Sequence, residues 1–65
     1  MHGTIIIKTA SALAQIKTWA HDSIYAFLTD HDYSHDIAAD VASWAGLASV
    51  GEEYKLDGAE IIIVD

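Results

Sequence analysis

The dipeptide His-Asp occurs three times in this chain, at His21-Asp22, His31-Asp32 and His35-Asp36. Imidazole beside carboxylate is the material of hydrolytic metal sites. His31 and His35 are also four residues apart, a spacing that lets two imidazoles share one ion on a helix face. The polar run Asp30-His31-Asp32-Tyr33-Ser34 places a helix start between or at these histidines, so they need not share a face. No glutamate stands where a base for a metal-bound water is expected. The histidines read as surface groups at a helix junction, and no metal ligand is assigned.

The match to HD-type phosphohydrolases stops at the dipeptide, because that fold needs several helices to assemble its ligands. Covalent catalysis has less support still. The serines at 11, 23, 34, 43 and 49 lie in no Gly-x-Ser-x-Gly turn, and the four glycines form no phosphate loop or dinucleotide fingerprint. With 65 residues, roughly 60% of the unfolded surface can be buried, which leaves little room for an enclosed pocket. The chain reads as a non-enzyme without a cofactor.

The carboxylates are the stronger feature. Seven aspartates and three glutamates face three lysines and no arginine, for a net charge of −7. Five of the aspartates fall between Asp22 and Asp40. Such a field repels nucleic acid and anionic membrane and attracts basic surfaces. An apolar fraction of 52% excludes a disordered acidic tail. There is no cysteine, hence no disulfide, and no apolar run approaches the ~20 residues of a membrane span. The N-terminus lacks the pattern of a signal peptide, so a soluble, intracellular protein is expected.

A single α+β domain spanning 1–65 must hold these groups. Thr4-Thr9 is rich in β-branched residues and predicts a strand. Ser11 is a plausible N-cap for a helix over about Ser11-Thr29. In it Leu13, Ile16, Ala20, Ile24, Phe27 and Leu28 make the buried stripe, with Gln15, Thr18, Asp22 and Thr29 opposite. Asp32 or Ser34 caps a second helix, buried through Ile37, Val41, Trp44 and Ala48 and stopped by Gly51. Asp57-Gly58 predicts a type I′ hairpin that pairs Leu56 with Ala59, Lys55 with Glu60 and Tyr54 with Ile61.

The expected architecture is two helices on one face of a three-stranded sheet, in the order strand-helix-helix-strand-strand. Tyr54, Leu56, Ile61 and Ile63 lie under the helices. Ile62 and Val64 point to the other face, near Ile5-Ile7, which either stays open or meets a partner or another copy. A monomer is expected in preference to a homodimer.

Aspartates in helices carry a cost. Asp22, read as mid-helix, is a poor helix former by up to ~0.7 kcal/mol relative to alanine. Like charges four apart, as at Asp36 and Asp40, cost a further ~0.2–0.5 kcal/mol. Lysines interspersed for solubility would avoid both, which favours an interaction role. Carboxylates one helical turn apart stand about 6 Å apart along the axis and can imitate a row of phosphates before a basic groove.

In size, acidity, lack of cysteine and short α/β layout, the whole chain resembles the small acidic anti-CRISPR proteins of phages and mobile elements, the type I inhibitors in particular. Several of these are DNA mimics that occupy the DNA-binding surface of a Cas effector. The group shares no motif, so no residue is carried over from it. The resemblance implies a DNA mimic acting in the bacterial cytoplasm on a basic nucleic-acid-binding protein such as a Cas subunit, without binding nucleic acid or membrane itself. Asp22, Asp30, Asp32, Asp36, Asp40, Glu52 and Glu53 are the expected partner-binding residues. The alternatives are a mimic aimed at another host DNA-binding protein, a regulatory module that self-associates through the apolar sheet face, and a metal- or pH-responsive module built on His21, His31 and His35.

Overall fold

The computed structural model describes residues 3–65. In chain order its elements are β1 (Thr4–Thr9), β2 (Leu13–Lys17), α1 (His21–Asp30), α2 (His35–Leu47), β3 (Glu53–Leu56) and β4 (Ala59–Val64). The strands form one antiparallel sheet in the order β2-β1-β4-β3. The α+β class with two helices stands. The three-stranded sheet does not, because a fourth strand occupies the first half of the helix expected over Ser11-Thr29.

The physical reason lies in the β1–β2 turn. Thr9 donates its amide proton to the Ala12 carbonyl at 2.9 Å, while its Oγ1 accepts from the amides of Ser11 and Ala12 at 3.3 and 3.0 Å. The threonine hydroxyl does the work usually given to glycine or asparagine, and it closes the turn without either. Ser11 is therefore a turn residue and not an N-cap. Beyond it, Ala14 and Ile16 face the core while Leu13, Gln15 and Lys17 are exposed, the period-2 pattern of a half-covered strand.

Thr18, expected on a solvated helix face, is instead only 4% exposed. Its amide donates to the Gly3 carbonyl at 3.1 Å, and its Oγ1 accepts from the Gly3 amide at 3.3 Å. Gly3 sits where a side chain does not fit, since a Cβ there would lie 2.8 Å from the Val64 carbonyl oxygen.

Ile5, Ile7, Ile61 and Ile63 line one sheet face and meet Ile24 and Leu28 of α1 and Ala38, Val41, Ala42 and Ala45 of α2. Each buried isoleucine contributes about 1.5–3 kcal/mol relative to its exposed state. The three alanines keep α2 close to the sheet. The buried stripe of α2 is thus rotated from the expected one. Ile37 is exposed, and Trp44 is half-buried with its ring 5.2 Å from that of Tyr54.

Ser34 caps α2, its side chain accepting from the Ile37 amide at 3.2 Å. Helix α1 ends in a Schellman arrangement. The Tyr33 amide donates to Leu28 at 3.1 Å and the Asp32 amide to Thr29 at 3.2 Å, with Asp32 left-handed at φ 69°. Helix α2 stops at Leu47, short of Gly51, which serves instead in the turn before β3.

The C-terminal hairpin has the expected register, Leu56 opposite Ala59, Lys55 opposite Glu60 and Tyr54 opposite Ile61. Its turn is not type I′. Only Gly58 has positive φ, at 84°, and Asp57 does not, which is the sign pattern of a type II turn.

Candidate functional site

All seven aspartates and all three glutamates are exposed. Between Lys17 and Lys55 there is no lysine or arginine and there are seven carboxylates, and both helices lie in that interval. The three lysines stand together on the opposite side. Lys8, Lys17 and Lys55 alternate with core-facing neighbours along β1, β2 and β3, so all project from the sheet face that no helix covers. No lysine lies within 4.0 Å of a carboxylate among the described residues. Charge is therefore segregated by layer, acidic on the helices and mixed on the open sheet.

Within the helical layer the expected residues do not form one row. Asp30 ends α1, Asp32 follows it and Asp36 lies in the first turn of α2, so these three gather at the helix junction, with Asp40 one turn further along α2. Asp22 is in the first turn of α1, about 12 Å along the axis from Asp30. Because α1 starts at His21, Asp22 is not the mid-helix residue that the sequence implied. The helix dipole favours a carboxylate there by about 0.3–1 kcal/mol.

The sites that local structure does not reward are others. Asp30 stands at a helix C-terminus, where the dipole opposes negative charge, and no basic residue accompanies it in the last turn. Asp32 holds a backbone conformation that costs an L-residue energy, and Asp40 adds like charge one turn from Asp36.

The two glutamates separate from the aspartates. Glu52 Oε2 accepts from the Ser49 amide at 2.6 Å and so braces the turn before β3. Glu53 pairs with Ile62 on the open sheet face. A residue that the sequence offered only as turn chemistry joins the junction instead. Tyr33 Oη donates to the Asp57 carbonyl at 3.0 Å, which brings the β3–β4 turn and the Asp57 carboxylate to the end of the molecule that carries Asp30, Asp32 and Asp36. Only a contact 24 residues apart in sequence reveals that placement.

The histidines do not sit on one helix. His31 follows α1, its ring 4.1 Å from that of Phe27 and its Nδ1 2.8 Å from the Phe27 carbonyl. His35 opens α2 and pairs through Nδ1 with the Tyr25 hydroxyl. His21 Nδ1 is 3.8 Å from Asp22 Oδ1. Among the described residues no three histidine, aspartate or glutamate side chains stand close enough together to hold one metal ion, and no helix is long and apolar enough to cross a membrane.

No protein-family model matches the chain, and no curated protein or solved structure resembles it closely enough to count as a match.

Proposed function

We propose that this protein is an inhibitory DNA mimic of the anti-CRISPR kind, which binds a basic DNA-binding surface of a Cas effector complex and blocks target DNA. The observation that carries this proposal is the segregation of charge. The helical layer offers carboxylates with no lysine or arginine among them. Asp30, Asp32 and Asp36 flank the junction, Asp40 follows one turn along α2, and Tyr33 ties the turn that carries Asp57 to the same end. Asp36 and Asp40 are one turn apart, about 6 Å along the axis. Phosphates of a nucleic-acid strand advance ~3.4 Å along the helix axis and lie further apart through space. A groove lined with lysine and arginine meets similar charge spacing in either case.

Placement supports the same conclusion. Asp30, Asp32 and Asp40 gain nothing from the local helix physics, and the pair Asp36–Asp40 costs about 0.2–0.5 kcal/mol. A surface shaped for solubility alone has no use for such sites.

The test is a gel-shift assay of a purified Cas effector complex on its target DNA, with the protein added before the DNA. The wild-type chain is expected to abolish the shifted band, and the double variant Asp36→Lys/Asp40→Lys to restore it while retaining the wild-type circular dichroism spectrum. Inhibition that survives the double reversal sinks the proposal. Salt-released capture of a different DNA-binding protein from host lysate would move the target, not the mode of action.

A further inference from the structure

The sheet face without helices has a pattern of its own. Its middle row, from β2 across to β3, reads Gln15, Ile6, Ile62, Glu53, and the row toward the two hairpin turns reads Leu13, Lys8, Glu60, Lys55. Lys8 and Glu60 are cross-strand neighbours on the two central strands, and both are exposed. Neither has an ion-pair partner within 4.0 Å among the described residues of its own chain.

We infer that this face binds a second copy of the same chain, about a twofold axis that runs along the strands between β1 and β4. That rotation exchanges β1 with β4 and β2 with β3. Lys8 of each copy then faces Glu60 of the other, Ile6 faces Ile62, Thr4 faces Val64, and Gln15 faces Glu53. The charges match twice by one operation, as a twofold contact requires. The other in-plane twofold, across the strands, sets Lys8 over Thr4 and Glu60 over Val64 and leaves both charges unmatched.

The geometry accommodates the match. Packed sheets stand about 10 Å apart with strand directions within about 30°. The Lys8 and Glu60 row is two residues, about 7 Å, from the row of Ile6 and Ile62, so that angle displaces it by less than about 4 Å. Lysine and glutamate side chains span such a gap. Leu13, 63% exposed, falls under the aliphatic stem of Lys55 of the second copy.

Four strands of up to six residues offer roughly 400 Å² per copy, or about 800 Å² in all, which is below the usual size of a stable interface. The dimer is therefore weak and reversible. This departs from the monomer expected from sequence, because the added strand β2 widens the open face and the β1–β4 register sets Lys8 beside Glu60. The two helical layers point away from each other in the dimer, so the acidic junctions stay free.

Sedimentation velocity across a concentration series tests the inference with four samples. The wild-type chain is expected to dimerise. Lys8→Glu alone and Glu60→Lys alone each place like charges across the axis and should weaken dimerisation at least about tenfold. An equimolar mixture of the two variants restores opposite charges at both contacts and should associate as a heterodimer. That recovery cannot come from repair of the intrachain neighbours, since each variant chain keeps its own like-charged pair. Circular dichroism checks that both variants fold. A wild-type chain that stays monomeric at millimolar concentration, a dimer indifferent to either reversal, or a mixture no more associated than its components each overturns the inference.

Discussion

Tyr33 Oη donates a 3.0 Å hydrogen bond to the backbone carbonyl of Asp57, and with it the helix junction is tied to the β3–β4 turn. Both partners stand next to backbone that is special in its own right, Tyr33 after the left-handed Asp32 and Asp57 before Gly58. Tyr33→Phe removes the bond and keeps the ring. It should lower stability by about 0.5–1.5 kcal/mol in urea denaturation. Amide exchange should also quicken at the turn more than at the centre of β1.

Asp32 at φ 69° predicts a gain in place of a loss. Asp32→Gly should stabilise the fold by about 1 kcal/mol, since glycine adopts the left-handed region without steric cost. Asp32→Asn removes the charge and keeps the side chain's shape, so thermal unfolding of the pair apportions the gain between backbone and charge.

The Gly3–Thr18 contact closes the open end of the first hairpin. Thr18→Val deletes the oxygen that accepts the Gly3 amide proton and should cost about 1–2 kcal/mol. Gly3→Ala forces a methyl to 2.8 Å from the Val64 carbonyl and should cost about 1–3 kcal/mol, because the close neighbour is backbone. Chemical denaturation of the two single variants reads both.

If the helical layer carries the mimicry, position in space and not mere acidity decides which reversals matter. Asp57→Lys should weaken inhibition of DNA binding as Asp36→Lys does, although the two lie in different parts of the chain. Glu53→Lys, on the open sheet face, should leave inhibition unchanged. Each junction carboxylate lost should also lower the slope of log affinity against log salt by about one. Equal effects at Glu53 and Asp57 would mean that net charge alone governs binding.

The C-terminal half of this fold was legible in the residues. Asp57-Gly58 set the register of β3 on β4, and Tyr54, Leu56, Ile61 and Ile63 meet the core as expected. The N-terminal half misled. Leu13, Ile16, Ala20 and Ile24 recur at helical intervals, yet they come from both faces of β2, the connection and α1. The turn that separates β1 from β2 contains no glycine, proline or asparagine, because the Thr9 hydroxyl supplies the closing acceptor. A long-range pairing decided the matter, and periodicity within one segment does not report it.

The acidic site was legible as composition but not as place. Its aspartates were countable, while their division into a junction cluster, a distant Asp22 and a glutamate pair near the far end of β3 required the strand order. The position of Asp57 depended on a tyrosine hydroxyl bonded across 24 residues.

The gathering of Lys8, Lys17 and Lys55 on one side has a practical consequence. Reagents that acylate side-chain amines reach only the sheet, so a fluorophore, a cross-linker or a solid support attached through lysine leaves the anionic layer unmodified and pointing outward. Trypsin likewise finds no cleavage site between 18 and 54, and both helices emerge from digestion in a single peptide.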